Sequence, residues 1–447
     1  MSEVSHERAL YLSHFEELER ARGPRRDTPL DLLRREAFAN FSERGFPTMR
    51  EEDWKYTNLA PLAKTRFRLA PLGGPNGFAR ETFERDIEEG WGARLVFLNG
   101  HFVPGLSLTT TLPPGVVVSS LAEAISADPE SVVEHLGSVA GHGESALVAL
   151  NTAFLRDGAC VRIPDGVVVE SPIHLVFLSS VHGEPTVCHP RTLIVSGRAS
   201  RATVVERYAA LDDGVSFTNA VTEVVVGEGA VVNHCKVERE SPNAFHLASL
   251  SARLARSSRF SSHAVLIGGA LVRNDVIAVL GEEGAECALN GLYMAEGTQH
   301  MDNRTLIDHV RPHCSSQETY KGVLDGRSRA VFNGEIVVRA DAQKTDAHQI
   351  NRNLVLSDEA LVNTKPRLRI LANDVKCTHG ATVGMLDEDA LFYLRSRGLT
   401  EEAARGLLVY AFASDVIAEI PAAPLRRELQ HLVQARLPEP MRMELPS

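Results

Sequence analysis

The feature that most constrains the fold is a long series of short apolar runs, from about residue 158 to residue 384, with almost no amphipathic helix. The runs are rich in valine, isoleucine, leucine and threonine, which favour β-strands. Turn-like segments separate the runs and begin about 26 to 30 residues apart, at residues 197–200, 227–230, 255–258 and 281–284. A repeat of this length without helices is typical of a solenoid of β-coils. The pattern predicts a mainly β fold with a parallel β-helix core, and a β-sandwich is the alternative.

Helices are predicted on the N-terminal side of this section. Apolar residues recur there at spacings of three and four, which indicates two amphipathic helices. Gly23 ends the first helix, Thr28 is the predicted N-cap of the second, and Gly45 follows its last turn. A hairpin around Asn99-Gly100 comes next. A further helical stretch near residues 119–136 completes this region.

An acidic and aromatic segment at residues 51–59 interrupts the helical pattern. Its composition is compatible with a catalytic site. The favoured interpretation is a helix start in which Trp54 and Tyr56 pack an interdomain seam.

Helices are also predicted after the β section. Asp387 and Thr400 are positioned as the N-caps of two helices, and a third helix is predicted from about residue 424 to residue 435. Helices at both termini are consistent with the need of a solenoid to cover its open ends. We predict a mostly helical N-terminal domain, a β-helix core and a C-terminal helical region, at residues 1–157, 158–384 and 385–447.

Charge and the absence of targeting features exclude several classes of protein. The net charge of −11 makes binding to nucleic acid or to an anionic membrane surface unfavourable. No run of about 18 uncharged apolar residues is present, so no transmembrane helix is predicted. The first 22 residues lack an apolar core and are too acidic for a transit peptide, which predicts a cytoplasmic protein. The six cysteines form no Cys-x-x-Cys pair and are expected to be free thiols.

The common nucleotide-binding and hydrolase motifs are missing from the sequence. Neither of its two Lys-Thr pairs follows the glycines of a phosphate-binding loop. The sequence also lacks the Gly-x-Gly-x-x-Gly dinucleotide fingerprint and the Gly-x-Ser-x-Gly nucleophile elbow. The sequence therefore gives no support for an ATP-binding loop or a dinucleotide-binding fold in this chain.

Two histidine-containing segments are candidates for metal binding. The spacing of His309 and His313 suits zinc on a helix, but Pro312 and the strand context argue against a helix, so core histidines are the favoured interpretation. Cys377 and His379 are two residues apart, so on a strand they share a face, with Cα atoms about 7 Å apart. A thiolate and an imidazole can bind one soft metal, but the remaining ligands would come from other strands or a second chain. The alternative is an inward-facing cysteine beside a hydrogen-bonded histidine.

Ten segments carry a more specific pattern, at residues 52–58, 149–154, 302–305, 320–325, 332–334, 341–347, 351–354, 364–366, 376–382 and 392–398. In this order they resemble the SufB/SufD family, the scaffold subunits of the SUF machinery for iron–sulfur cluster assembly. The resemblance covers most of the chain and is densest from about residue 300 to residue 420. It is nearer to the SufD branch, because SufB-like chains carry His-Glu-Ala-Thr where this chain has Gly380 after His379. The upstream cysteine of an Asn-Cys-Gly-like stretch is also missing, which argues against a cluster site built by this chain alone.

The resemblance implies a right-handed parallel β-helix between helical N- and C-terminal regions. It implies a non-catalytic subunit that pairs with a SufB-like paralogous scaffold through the β-helix ends. A SufC-like ABC-type ATPase would bind the C-terminal helices. Cys377 and His379 would lie at the shared interface and contact iron or a transient iron–sulfur cluster, with His379 as the preferred ligand. The implied ATPase-docking residues are Phe392, Tyr393, Arg395, Arg397, Leu408 and Phe412.

Two other functions stay open at this point. A homodimeric scaffold is one, because the exposed edge of a β-helix permits self-pairing. A carbohydrate-active β-helix enzyme is the other, and it would need clustered carboxylates on one exposed face. Solenoid turns explain its candidate residues equally well, and these are Asp325, Arg327, Asp341, Lys344 and Asp346.

Overall fold

Three α-helices and a short strand are the main elements in the described first part of the chain. The structure is a computed structural model that describes residues 2–23, 28–70, 91–109, 112–143, 145–181 and 183–436. These first elements are α1 (Ser2–Arg22), α2 (Pro29–Arg44), α3 (Ala60–Lys64) and β1 (Arg68–Leu69).

The caps of α2 form where the sequence predicts them. The Thr28 side chain accepts a hydrogen bond from the backbone N–H of Asp31 at 3.2 Å. Gly45 has a φ of 68°, a left-handed value that glycine adopts without strain. Both predicted cap positions are confirmed.

In the described residues, a hairpin and three short α-helices precede the long β section. Asn99 and Gly100 connect β2 to β3 with φ values of 52° and 81°, the combination that a two-residue type I′ turn requires. The helical stretch predicted near residues 119–136 forms two helices, because the Asp128 side chain caps the second by accepting from the backbone N–H of Ser131. The elements are β2 (Ala93–Leu98), β3 (His101–Phe102), β4 (Val117–Ser120), α4 (Leu121–Ala127), α5 (Pro129–His135) and α6 (Ala146–Ala153).

In the described residues that follow, seventeen strands succeed one another with no helix between them. From β9 onward every strand is eight to eleven residues long, and most of these strands end in tight turns. Non-glycine residues with positive φ occur in two of the predicted turns, at Ala199 and Ser257. The strands are β5 (Gly158–Ile163), β6 (Ile173–Ser179), β7 (Thr186–Cys188), β8 (Arg191–Ser196), β9 (Arg201–Ala210), β10 (Ser216–Val226), β11 (Val231–Arg239), β12 (Phe245–Leu254), β13 (Arg259–Leu266), β14 (Leu271–Leu280), β15 (Glu286–Ala295), β16 (His300–His309), β17 (Ser315–Leu324), β18 (Arg329–Val338), β19 (Asp346–Val355), β20 (Leu361–Ile370) and β21 (Lys376–Gly384).

Apart from β7, which pairs with β1 and β10 beside the main path of sheet A, these strands alternate between two sheets and pair in parallel with the strands of neighbouring coils. Sheet A has the order β4-β5-β8-β10-β12-β14-β16-β18-β20, and sheet B has the order β3-β2-β6-β9-β11-β13-β15-β17-β19-β21. Each coil therefore adds one strand to each sheet, and about eight turns form the solenoid. The parallel β-helix predicted from the repeat is confirmed, and the β-sandwich alternative is wrong.

Alternate residues of each strand point into the solenoid, where large rings need space in the neighbouring coil. Tyr320 lies over Gly291, its register partner, and Tyr293 lies over Gly322 in the same way. A Cβ atom at either glycine would overlap the tyrosine ring. Glycine therefore stands at these two positions because of close packing.

In the part of the chain described after the solenoid there are three helices, namely α7 (Glu388–Ser396), α8 (Glu401–Ala418) and α9 (Ala423–Arg436). Asp387 caps α7 by accepting from the backbone N–H groups of Asp389 and Ala390, and Thr400 caps α8 by accepting from that of Ala403. Both predicted N-caps are confirmed. Within the described ranges, no helix has the length and apolar character needed to cross a membrane.

The terminal helices pack on the outer faces of the sheets. The helices that follow the solenoid bury an apolar face against outward residues of sheet B, such as Val237, Leu292 and Val323. The N-terminal helices pack similarly on sheet A, around Phe217 and Leu247. The last coil therefore keeps its edge strands uncovered in the described chain, and the expectation that helices cover this open end is wrong.

The segment after α2, at residues 51–59, packs against sheet A and pairs with its side chains. Trp54 is buried and its ring lies 3.7 Å from the guanidinium of Arg273, which also donates to Asp302 at 2.6 Å. Glu52 pairs with Lys365 of the edge strand β20. The packing interpretation of this segment is confirmed for Trp54. It is wrong for Tyr56, whose side chain is exposed.

Candidate functional site

The last coil leaves two strand edges open. β20 and β21 are the end strands of sheets A and B, so each carries backbone N–H and C=O groups without a further strand partner in the described chain. Every residue of β21 except Cys377 is exposed. Large apolar side chains are exposed nearby, at Leu361, Leu371, Val383 and Met385. This end of the solenoid is therefore suited to pairing with another chain.

Cys377 and His379 lie on one side of β21, as their spacing predicts. Cys377 is in register with Ala347 and His379 with Gln349, and both partners are buried inside the solenoid, so the pair belongs to the inward-facing column. Cys377 is half-buried against the core, and burial, followed by the nearby Asp346, raises the pKa of its thiol. His379 is exposed and makes no hydrogen bond to the residues that the structure describes.

The two donors do not form a complete metal site. Across the described ranges, no three His, Cys, Asp or Glu side chains come together in a group that could hold a metal ion. Tetrahedral sites for iron or zinc normally use four ligands. A metal bound beside His379 would therefore need ligands from beyond the described residues.

The other histidine pair lies in two unrelated environments. His309 is fully buried, its Nε2 lies 2.9 Å from Ser316 Oγ, and burial lowers its pKa to about 4. His313 is exposed in a turn with a φ of 61°, so the core-histidine interpretation is wrong for His313. Cys314 is buried and its thiol donates to the Glu282 carbonyl. The interpretation of His309 as a hydrogen-bonded core histidine is therefore preferred to the zinc-site alternative.

The residues of the enzyme alternative are mostly turn residues. Asp325, Arg327, Asp341 and Lys344 lie in turns between successive strands, and Lys344 pairs with Asp374 of a neighbouring turn. Polar residues are expected in the turns of a solenoid, so these positions do not by themselves indicate an active site.

The C-terminal helices expose an aromatic pair. Phe392 and Tyr393, in α7, are 75% and 56% exposed, which is unusual for large apolar side chains. Arg397 lies over the Tyr393 ring at 5.2 Å. Arg395 pairs with Glu401 at 3.3 Å, at the start of α8. Four of the six predicted docking residues therefore lie close together on the surface around α7.

The other two predicted docking residues face the solenoid. Leu408 and Phe412 are partly buried against the outer face of sheet B. Beneath them, the buried Lys321 donates to Phe412 O at 2.9 Å and to Asp415 Oδ2 at 2.6 Å. Its Nζ also lies 4.7 Å from the centre of the Phe412 ring. Lys321 therefore ties α8 to β17.

The middle coils contain buried polar residues that the sequence pattern does not predict. The inward column of β11 contains His234, Lys236 and Glu238, and Glu240 follows it. His246 Nδ1 lies 2.7 Å from Glu240 Oε2, and Lys236 donates to an asparagine of β14 at 3.1 Å. Burial lowers the pKa of Lys236 to about 8. The alternation of polar and apolar residues was visible, but it does not reveal which face of a strand lies inside.

Replacing Glu240 with glutamine is expected to make the free energy of unfolding depend less on pH. Burial raises the pKa of Glu240 to about 7, although Thr218 donates a hydrogen bond to its carboxylate. The folded chain therefore holds this proton more tightly than the unfolded chain. The associated stability is complete below about pH 4.5 and is lost as the pH rises to about 7, a loss of about 3 kcal/mol.

Urea unfolding at about pH 5 and about pH 8 measures this difference. Glu240→Gln should lose less stability over the interval than the unmodified chain, whereas Glu228→Gln, at an exposed turn, should behave like the unmodified chain. An equal loss in all three chains would contradict the prediction.

Comparison with known proteins assigns both parts of the chain to one family. Residues 177–412 match the SufBD core domain described as SUF system FeS cluster assembly, and residues 5–175 match the SufBD protein N-terminal region. An iron–sulfur cluster assembly SufBD family protein of Synechocystis is 36% identical over 398 residues, which cover 87% of both chains. The iron–sulfur cluster assembly protein SufD of Escherichia coli is 32% identical over 396 residues, covering 88% of this chain and 90% of that protein. The chain therefore belongs to the SufB/SufD family of iron–sulfur cluster assembly proteins.

Proposed function

We propose that the chain is a non-catalytic, cytoplasmic scaffold subunit of a SUF complex. It pairs with a SufB-like paralogue and a SufC-like ABC-type ATPase, helps to build and transfer iron–sulfur clusters, and supplies iron. The observation that carries this proposal is the uncovered last coil, which presents His379 and Cys377 beside two open strand edges.

The incomplete donor set supports a site shared between two chains. His379 is exposed at the end of the solenoid, and Cys377 lies on the same face of the strand. A partner whose edge strand pairs with β21 would add main-chain hydrogen bonds and bring its own ligands next to His379. Iron or a transient cluster would then be held between the chains and released when they separate.

The exposed aromatic pair supports an ATPase-docking region within residues 385–447. The sequence has no phosphate-binding loop of its own, so the nucleotide chemistry belongs to the partner. Phe392 and Tyr393 provide the apolar anchors, and Arg395 and Arg397 provide charge at the rim.

A physical connection exists between this region and the candidate cluster site. Lys321 joins α8 to β17, and only β19 separates β17 from β21 in sheet B. We infer that nucleotide-driven movement of the ATPase subunits shifts the C-terminal helices against the solenoid. That shift opens or assembles the shared site, provided that the nucleotide favours one of two arrangements.

An anaerobic affinity purification of the tagged full chain from its own host tests the proposal. Partners are identified, and iron and acid-labile sulfide are measured. Recovery of a paralogous scaffold and an ABC-type ATPase with iron and sulfide is the expected result. Recovery of a metal-free homodimer would overturn the proposal in favour of a self-paired scaffold.

Alanine at both Phe392 and Tyr393 is expected to weaken binding of the ATPase at least about tenfold, because buried aromatic anchors dominate such interfaces. Binding is measured by titrating the purified ATPase into the full chain. Leu32→Ala, at an exposed leucine of α2, is the matched control and should leave the affinity unchanged. Unchanged affinity in the double variant would place the docking surface elsewhere.

A further inference from the structure

Gln349 occupies a defined place beneath the candidate ligand His379. In the inward column of sheet B, Glu318, Gln349 and His379 follow one another in register on β17, β19 and β21. Gln349 is fully buried, and its Nε2 donates to Glu318 Oε2 at 2.6 Å. The three polar side chains therefore form a column that ends at the open end of the solenoid.

The other half of the Gln349 amide has no partner. Its Oε1 is buried and accepts no hydrogen bond. In the described part of the last two coils, from β18 to β21, the one other buried side-chain oxygen without a partner is Thr364 Oγ1. A buried amide oxygen without a hydrogen bond is unfavourable, because it has lost its hydrogen bonds to water and gained none in the fold. Gln349 Oε1 therefore needs a donor.

His379 is in register with Gln349 on the adjacent strand, so its imidazole N–H is a suitable donor for Gln349 Oε1. Adjacent parallel strands lie about 4.8 Å apart, and register partners point to the same side. The imidazole of His379 carries one N–H when it is neutral, and it makes no hydrogen bond to the described residues. His379, whose N–H has no partner among the described residues, therefore lies next to Gln349, whose Oε1 has no donor, on the adjacent strand.

We propose that Gln349 is a positioning residue for His379. Its Oε1 accepts the imidazole N–H, so that the second ring nitrogen presents its lone pair to iron or a cluster at the open end. Metal-bound histidines commonly donate their other N–H to a carbonyl or carboxylate oxygen, which fixes the tautomer and the ring orientation. This inference rests on the proposed function of His379 as a ligand.

Two neighbours hold the Gln349 amide in this orientation. The Glu318 carboxyl takes the NH2 group, which leaves the carbonyl oxygen for another donor. On the opposite sheet, Gly334 provides the space for the amide, because a Cβ atom there would overlap Gln349 Nε2.

The test measures the tautomer of His379 in the full chain. Selective 15N labelling of histidine reports which ring nitrogen carries the proton, and His379→Ala assigns the signal. We expect one dominant tautomer in the unmodified chain and a mixture in Gln349→Leu. Thr364→Val, which removes the other oxygen without a partner, is the matched control and should leave the dominant tautomer unchanged. An unchanged tautomer in Gln349→Leu, or a changed one in Thr364→Val, would overturn the proposal.

A second variant guards against misfolding, because Gln349→Leu leaves Glu318 without its partner. Glu318→Leu combined with Gln349→Leu removes both polar groups, which is often nearly neutral for stability. This double variant is expected to give the same mixture of tautomers. A single dominant tautomer in a folded double variant would overturn the proposal.

Anaerobic titration of ferrous iron into the purified complex separates this inference from the proposed function. Gln349→Leu should weaken iron binding about 10- to 100-fold, the effect of removing a partner of a ligating histidine. If the tautomer changes but neither Gln349→Leu nor His379→Ala alters iron binding, the ligand role of His379 fails. The positioning role then falls with it, although the hydrogen bond itself stands.

Discussion

Replacing His379 with alanine is expected to reduce the iron and sulfide content of the purified complex at least about tenfold while the complex itself stays intact. His379 is the exposed end of the inward column, and its side chain makes no hydrogen bond within the described chain, so its removal disturbs little of the fold. Loss of a direct ligand should exceed the effect of losing a ligand's own hydrogen-bond partner, which is about 10- to 100-fold. Iron and acid-labile sulfide per complex are the quantities to measure.

His348→Ala is the matched control for this experiment. His348 is also exposed and lies on the adjacent strand β19, but it faces outward, where it contacts Asp346 at 2.9 Å and Thr378 at 2.7 Å. The control should keep its cluster content. Equal cluster content in His379→Ala and the unmodified complex would remove His379 from the set of ligands.

Replacing Arg191 with methionine is expected to lower the free energy of unfolding by about 3–5 kcal/mol. Arg191 and Glu223 are fully buried, and the guanidinium donates to Glu223 Oε1 at 2.5 Å and 3.1 Å. Arg191 also donates to Asn151 Oδ1 and Thr152 Oγ1 of α6. Its removal leaves a buried carboxylate without its counter-charge, between sheet A and the N-terminal helices.

Urea unfolding of the full chain measures this effect, and Arg198→Met is the control. Arg198 pairs with Asp165 at 3.0 Å, but both side chains are exposed, so the loss there should stay below about 1 kcal/mol. A similar small loss in both variants would show that the buried pair contributes little. Glu223 would then depend mainly on its three backbone donors, which are the N–H groups of Gly137, Val139 and Ala140.

Local elements were predictable because their causes lie within a few residues. Thr28 and Asp387 cap helices through backbone N–H groups two or three residues away. Asn99 and Gly100 form a hairpin turn because both tolerate positive φ. The repeat of about 26 to 30 residues predicted the β-helix because each coil must have nearly the same length to stack in register.

The candidate site was only partly predictable. Spacing alone placed Cys377 and His379 on one face of a strand, and the structure agrees. The sequence could not show that this strand is the uncovered edge of sheet B, nor that Leu408 and Phe412 face the solenoid. Both facts depend on which outer face the C-terminal helices cover, and this is decided by apolar residues far away in the sequence.

The sequence by itself determined the coil repeat, the caps, the turns and the family, because these follow from short-range contacts and from residues read in order. Only the tertiary structure decided which residues meet across coils. Glu318 and Gln349 are 31 residues apart, and Arg191 and Glu223 are 32 apart. In a β-strand, alternate residues point to opposite faces, and the sequence does not show which of the two faces is buried. The stacking of the coils makes that choice, by burying one face of every strand at once.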